Sequence, residues 1–459
     1  MSNYQLSINN YQLPEGYKQT EVGVIPEDWD VKKLIDVVDY VDYRGKTPPK
    51  QESGVLLITA RNIRDGYIDY KSSQEFVSED DYDKIMRRGK PKIGDVLITT
   101  EAPLGMVAAA DIEYVALAQR VIKYRAKESN LDQSYLKYYL LSERFQRILQ
   151  ENSSGSTAQG IKGSVLHTLP IIIASLEEQR AIATALSDID ALIAALDKLI
   201  AKQRHLKTAT MQQLLTGKKR LPKRMDNGEL IIDNDGNPVM FGPSIDNCQL
   251  SKGYKQTEVG VIPEDWEVHT LHHVCNAIVD GTHYTPNYFP DGIPFYSVEN
   301  VTANDFQNTR FISEQEHLSL IKRCKPEKGD ILLTRIGSLG ATRLIDWDVN
   351  ASIYVSLALL KLNERVIPEY VYVYSKSRQF VEDVEKRSLV NATPQKINME
   401  DIGKVPLPVP QSEEEQRAIA TVLSDMDDAI AALEASRAKT QAIKQGMMQE
   451  LLTGRTRLV

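Results

Sequence analysis

A twenty-residue string occurs twice in this chain, and the pattern inside it constrains the fold more than any other feature. Glu177–Leu196 reads EEQRAIATALSDIDALIAAL and Glu414–Leu433 reads EEQRAIATVLSDMDDAIAAL, with sixteen of twenty positions identical at an offset of 237. Both copies run on to the same ending, LLTGKKRL at Leu214–Leu221 and LLTGRTRL at Leu451–Leu458. The apolar residues Ile182, Leu186, Ile189, Ile193, Leu196 and Ile200 are spaced 4, 3, 4, 3, 4, and Ile419, Leu423, Met426, Ile430 and Leu433 repeat the beat. This is the seam of a helix that pairs with another helix. Glu177–Glu178 and Glu414–Glu415 suit the positive N-terminal ends, and Gly217 and Gly454 predict where the helices stop. Two such helices in one chain predict that each is the other's antiparallel partner. The alternative is a head-to-tail arrangement whose helices seek partners in another chain.

The repeat is longer than the helices. Residues 10–29 and 247–266 agree at seventeen of twenty positions, again 237 apart. Between these ends the copies diverge around weak anchors: Gly45 and Gly281, Arg61-Asn62 and Glu299-Asn300, Gly94–Thr100 and Gly329–Arg335, Leu104-Gly105 and Leu339-Gly340. A shared frame with different side chains between the anchors implies two different specificities. The expected plan is a variable domain over 10–176, a helix over 177–221, a linker over 222–246, a second variable domain over 247–413 and a second helix over 414–459.

A chain of 459 residues exceeds one ordinary domain, and 42% hydrophobic with 26% charged residues is a globular composition. No apolar run approaches the ~20 residues that cross a bilayer. The opening MSNYQLSINN has neither the basic region nor the apolar core of a signal peptide. Cys248, Cys275 and Cys324 are an odd count without a CxxC pair, which suits a reducing cytoplasm. A net charge of −8 argues against nucleic acid as a partner of the whole surface, though not of a local face.

The variable parts read as mixed α/β. Val55–Thr59 and Asp95–Thr100 predict strands, and the tyrosine-rich Leu131–Leu149 and Pro368–Val384 predict helices. Leu230–Ile232, a turn at Asp235-Gly236 and Val239-Met240 predict a hairpin in the linker.

Two variable regions, each followed by EEQRAIA…LSD…LLTG, with GD-[IV]-L strands inside, resemble the specificity subunit of type I restriction-modification enzymes. The resemblance covers nearly the whole chain. It implies an α/β (α+β) fold class: two globular target recognition domains separated by a pair of long antiparallel coiled-coil helices, a pseudo-two-fold internal repeat. Each domain would read one half of a split, asymmetric double-stranded DNA target. The helices would set the spacing and dock two modification methyltransferase subunits, and through them the restriction/translocase subunits. S-adenosylmethionine would belong to the methyltransferase partner, ATP and magnesium to the restriction partner, and no catalysis to this chain. Each seam, Arg180–Leu214 and Arg417–Leu451, would form a helix ~52 Å long. That suits half-sites about one DNA turn apart, ~34 Å. Inserting four residues after Leu199, one step of the seam, is expected to keep both half-sites and lengthen the unread gap. Two residues are expected to do worse.

The motifs agree that no reaction is housed here. There is no [ND]PP[YF] base-methylation motif, no GxxxxGK[ST] and no GxGxxG; Thr47-Pro48-Pro49-Lys50 lacks both the amide and the aromatic. Asp233-Asn234-Asp235-Gly236 begins like a calcium loop, but its twelfth position is Ser244 rather than Glu, so it reads as a turn. His269 and His273 share an HxxxH spacing without a third ligand. The different-class alternatives are a self-contained methyltransferase and a protein scaffold without DNA contact.

Candidate DNA contacts are distributed. Arg87, Arg88 and Lys90 lie in a basic run with Lys84 and Lys92, and Lys322, Arg323 and Lys325 occupy the matching place with Lys328; phosphates are their natural partner, a solvated turn the plainer reading. Arg61 and Arg64 suit guanine edges, whereas Asn62 and Asn300, alike in both copies, read as a structural turn. Tyr43, Arg44, Lys46 and Thr47 in one loop, and Thr282, His283 and Tyr284 in the equivalent loop of the second copy, supply donors and flat rings, ordinary loop polarity being the plainer reading. Ser154, Ser156, Thr157 and Gln159 match Thr393, Gln395 and Lys396 in another, and Arg335 ends the second GD strand. Lys218, Lys219, Arg220, Lys223 and Arg224 complement the negative end of the first helix. Surfaces shared by the copies suit identical partners, so Lys18, Gln19, Glu21, Lys255, Gln256, Glu258, Arg180 and Arg417 are expected to face the methyltransferases, with Trp29 and Trp266 in the core.

Overall fold

The computed structural model describes residues 13–43, 48–118, 120–155, 159–224, 229–242, 253–389 and 391–459. The chain divides into two units. Unit 1 is built from residues 1–197 and 435–459, unit 2 from 198–434.

In unit 1 a four-stranded antiparallel sheet runs in the order Val38–Asp42, Val121–Ala126, Val96–Thr100, Leu104–Ala109. Its central strands are buried on both faces, so Val96–Thr100 reads VLITT without alternation, while Val121–Ala126 carries Lys123 and Arg125, both paired with Asp95. The period of two survives inside: Val96, Ile98, Ile122 and Tyr124 enter one core, Leu97 and Val121 the other. The second core lies under a smaller sheet ordered Phe76–Val77, Val55–Ile58, Ala116–Leu117. Unit 2 repeats the plan. Its four-stranded sheet is Cys275–Asp280, Leu357–Leu362, Ile331–Thr334, Thr342–Leu344, and its smaller one Arg310–Ile312, Ile293–Tyr296, Ser352–Ile353.

The stretches Leu131–Leu149 and Pro368–Val384 are helical as expected, each as two short helices. Gln133–Leu141 and Glu143–Glu151 meet at Ser142, and Pro368–Ser375 and Arg378–Lys386 flank Ser377. The serine takes a helix start against the apolar rhythm: Ser142 Oγ accepts the Phe145 N–H at 3.2 Å and donates to the Tyr139 carbonyl at 2.6 Å.

The two long helices are Leu176–Leu214 and Glu413–Leu451. They pair antiparallel within each unit. In unit 1, Asp190 meets Lys444 at 2.6 Å and Asp197 meets Arg437 at 2.7 Å. In unit 2, Arg204 meets Glu434 at 2.6 Å and Lys207 meets Asp427 at 2.5 Å. Numbers rise along one helix as they fall along the other, which excludes the head-to-tail alternative. The seam residues Ile182 and Leu186 share a core with Leu451 and Leu452; Ile419 and Leu423 share one with Leu214 and Leu215.

The repeated EEQR motif has a further use. Glu178 is fully buried; it accepts the Trp29 indole N–H at 3.0 Å and Arg457 Nε at 2.5 Å, while Arg457 forks onto Asp28 at 2.9 and 2.8 Å. Unit 2 has the same lock, its Trp, Glu and Asp 237 residues later and its Arg 237 earlier: Glu415 accepts from Trp266 at 3.2 Å and from Arg220 at 2.6 and 2.7 Å, and Arg220 forks onto Asp265. Burial works against the Arg220 charge, but its bonds to Asp265 and Glu415 outweigh that and raise its pKa. Arg220 is thus an internal clamp rather than a solvent-facing complement to the helix end. Glu177 and Glu414 alone keep the exposed, end-of-helix role expected of both acids.

Gly217 and Gly454 do end the helices, with φ of +66° and +71°. The linker forms the expected hairpin, with Ile232 opposite Pro238 and a Gly236 N–H donating to the Asp233 carbonyl at 3.1 Å. Residues Pro222 and Arg224 add a third segment beside it.

Candidate nucleic-acid interface

Several of the expected contact residues lie at one end of the four-stranded sheet, and the two units bring equivalent segments to that end. In unit 2 the strand Cys275–Asp280 ends in Thr282–Tyr284, and Ile331–Thr334 ends in Arg335. Residues 395–397 lie against them, Ile336 bridging Lys396 and the Ile397 N–H donating to the Arg335 carbonyl at 3.0 Å. In unit 1, Glu101 bridges Gly160 and the Ile161 N–H donates to the Thr100 carbonyl at 3.0 Å, which puts Gly160 and Ile161 in the matching place.

The unit 2 site is organised by a buried carboxylate. Asp280 accepts from Arg335 Nη1 at 3.1 Å and bonds His283 Nε2 at 2.9 Å; Arg323 also pairs with it. Arg335 is itself buried and donates to the Val355 and Ile397 carbonyls. Burial lowers its pKa, with Asp280 opposing. Its position makes Arg335 a strut of the site rather than a surface contact. His283 and Tyr284 remain exposed. Thr282 is buried, its hydroxyl donating to the Tyr284 carbonyl at 3.4 Å. Thr393 and Lys396 are exposed, and Gln395 donates to Ser388 Oγ at 2.9 Å.

In unit 1, Tyr43 is buried with its hydroxyl donating to the Gly89 carbonyl, which removes it from the surface. Burial pushes its pKa up. Arg44, Lys46, Thr47, Ser156 and Thr157 lie outside the described residues. Arg61, Ser154 and Gln159 are exposed and Arg64 is half-buried. The basic runs are partly committed: Arg88 donates to the Asp42 carbonyl at 2.8 Å, Lys90 pairs with Asp83 at 2.5 Å, and Lys325 pairs with Glu327 at 2.9 Å. Arg87 and Lys322 are exposed. Three further side chains, Arg120, Tyr288 and Arg310, lie at or beside this end without a sequence motif that marks them. Arg120, at φ +70°, pairs with Glu101 at 2.8 Å. Arg310 sits 5.0 Å from the centre of the Tyr288 ring. Mixed arginine and aromatic content is their only sequence signal.

Asn62 and Asn300 are buried turn-formers, as expected. Asn62 Oδ1 accepts the Thr59 N–H at 2.9 Å and Nδ2 donates to the Asp69 and Ser73 carbonyls. Asn300 accepts from Ser297 at 2.9 Å and donates to the Asp305 and Asn308 carbonyls. His269 and His273 stack with ring centres 4.6 Å apart, one on a strand and one on a short helix. Among the described residues no group of three or more His, Cys, Asp or Glu could hold a metal, and no helix is long and apolar enough to cross a membrane.

On the shared hairpins Tyr17–Pro26 and Tyr254–Pro263, Lys18 donates to the Glu27 carbonyl at 2.8 Å and Lys255 to the Glu264 carbonyl at 3.0 Å. That leaves Gln19, Glu21, Gln256 and Glu258 as the exposed members of each set. Arg180 and Arg417 are exposed on the long helices, Arg417 pairing with Glu413 at 3.3 Å.

The sequence matches the type I restriction modification DNA specificity domain twice, over residues 26–203 and 263–445. It is 25% identical over 97% of both chains to a Methanocaldococcus jannaschii protein named for the MjaX type I restriction enzyme specificity subunit. It is 33% identical to the MjaVIII specificity subunit of the same organism, over 45% of this chain and 50% of that one. The fold is similar to the crystal structure of a type I restriction-modification S subunit from M. genitalium, with a TM-score of 0.57 and 18% identity over 97% of this chain and 98% of that one.

Proposed function

Since the chain belongs to the type I restriction modification DNA specificity family, we propose that its two units each read one half of a bipartite, asymmetric DNA target. The chain is the recognition component and performs no reaction itself. One observation carries this reading: both units bring loops to the same end of the same sheet, on a frame that repeats while the residues at that end differ. A frame held constant while its rim varies is what two readers of different sequences need. The partners are double-stranded DNA, two modification methyltransferase subunits and the restriction/translocase subunits. The exposed Gln19, Glu21, Gln256 and Glu258, alike in both units, are the parts of the hairpins offered to two copies of one partner. The methyltransferase partner brings S-adenosylmethionine, and the restriction partner brings ATP and magnesium.

The test is a chimera assayed in the assembled complex. Replacing residues 30–165 with the equivalent region of a relative is expected to change one half of the methylated target and leave the other intact. A change in both halves, or in neither, sinks the reading. Tight binding of S-adenosylmethionine by the isolated chain would favour the methyltransferase alternative instead.

A further inference from the structure

Arg61 and Glu299 occupy one structural position in the two units. Each immediately precedes the buried asparagine, Asn62 or Asn300, whose side chain ties the start of the turn to its far side. In both units the backbone N–H after the turn closes on that asparagine's carbonyl: Asp69 to Asn62 at 2.7 Å and Asp305 to Asn300 at 3.0 Å. The cradles are equivalent in their hydrogen bonds, though Glu299 begins a short helix, Val298–Ala303, where Arg61 sits in a turn, and both Arg61 and Glu299 are exposed. The position adjoins the sheet end described above. The Val298 N–H donates to Ser356 Oγ at 3.1 Å, and the Ser356 carbonyl accepts the Arg335 N–H at 2.9 Å. In unit 1 the strand before Arg61 lies parallel to Ala116–Leu117, and the Ala118 N–H donates to the Ile58 carbonyl at 3.0 Å, two residues from Arg120.

The charges at this one position are opposite. A contact to phosphate would want a cation in both units. An exposed acid, paired only with Arg310 among the described residues, is repelled by phosphate and rewarded only by a donor. In the major groove, guanine offers two acceptors that suit arginine, and cytosine offers an amino donor that suits glutamate. Arg310 holds Glu299 in place, its Nη2 3.5 Å from the carboxylate and its guanidinium over Tyr288. Arg61, by contrast, has no side-chain partner among the described residues.

Resting on the reading of two DNA-reading units, we propose that Arg61 and Glu299 are the equivalent base-reading position of the two half-sites, Arg61 donating to a guanine and Glu299 accepting from a cytosine amino group. The test compares the methylated target of the assembled complex with that of complexes carrying Arg61→Ala, Arg61→Lys, Glu299→Gln and Glu299→Arg. Arg61→Ala is expected to lose about tenfold or more discrimination at one base pair of one half-site only. Arg61→Lys, which keeps the charge but loses the fork, is expected to relax the same base pair partially. Glu299→Gln is expected to move one position of the other half-site from cytosine toward adenine, and Glu299→Arg toward guanine. An unchanged target with uniformly weaker, more salt-sensitive binding of Arg61→Ala would assign Arg61 to phosphate and overturn the proposal. So would a Glu299→Arg complex that assembles and methylates the original target. Loss of methyltransferase assembly in the Glu299 variants would make this a protein contact and also overturn it. Failure of the underlying reading is distinguishable, because the 30–165 chimera would then leave both half-sites unchanged.

Discussion

Arg220 and Arg457 make the same contacts in different surroundings. The Arg220 side chain is 1% exposed and Arg457 34% exposed, each facing a glutamate that is almost fully buried. Removing one partner of a buried pair strands the other charge, at a cost of ~3–5 kcal/mol. Arg220→Ala is therefore expected to destabilise unit 2 by about that much, and Arg457→Ala to cost unit 1 clearly less because water reaches the site. Urea unfolding of both variants checks this, and equal losses would contradict it. Asp95 and Asp330 are a second equivalent pair with opposite responses to acid. Burial raises the Asp95 pKa, but Arg125, the Lys92 N–H and Lys123 outweigh it and hold the group below its ordinary 3.8. Asp330 is raised, by burial, with Lys361 opposing. Asp95 thus contributes stability above pH 3.8 that is lost as pH falls through its lower folded value, whereas ionised Asp330 costs stability that protonation relieves. Asp95→Asn is expected to cost on the order of 2 kcal/mol at pH 7. Asp330→Asn is expected to cost little there. The gap should narrow as the pH falls below the carboxylate range, and melting temperatures of the two variants across pH would show whether it does.

At the scale of an element, the glycines that stop the long helices do more than permit a left-handed turn. A Cβ on Gly217 would lie 2.5 Å from Pro263 and 3.3 Å from Trp266; on Gly454 it would lie 2.5 Å from Pro26 and 3.2 Å from Trp29. Gly217→Ala is expected to cost more than the ~1 kcal/mol of a left-handed alanine, since the proline ring must also retreat. An Asn at 217 meets the same wall, so it should rescue nothing in a thermal melt; rescue would show that backbone strain alone matters. The helices, their stops, the linker hairpin and the asparagine turns were legible because each rests on local chemistry: a 3.5-residue rhythm, a glycine, a turn pair. Glu178 and Glu415 were not. An acid in a first turn already has a local explanation, and its buried tryptophan lies 149 residues away. Ser142 was hidden for a related reason, since the apolar rhythm runs through it unbroken. Within the site, residue type alone could not separate Arg335, which braces Asp280 from below, from Arg61, which faces outward. That distinction is one of burial, set by which strand ends where.

For the whole molecule, unit 2 is nested in the sequence of unit 1, whose core takes Leu451 and Leu452 from the far end of the chain. Truncation after residue 434 is expected to leave the unfolding transition of unit 2 in place and to lower that of unit 1, as two-transition calorimetry would show; equal loss from both would mean the units do not melt separately. The nesting also imposes an order in time. At the ~5–20 residues per second of protein synthesis, roughly 15–50 s separate the appearance of residue 197 from that of Arg457. Throughout that interval Trp29, Glu178 and the Ile182 seam exist without the segment that covers them, while unit 2 needs nothing beyond residue 434. The half of the protein made first is thus the half finished last, and a nascent chain is most vulnerable to aggregation and proteolysis at its oldest end.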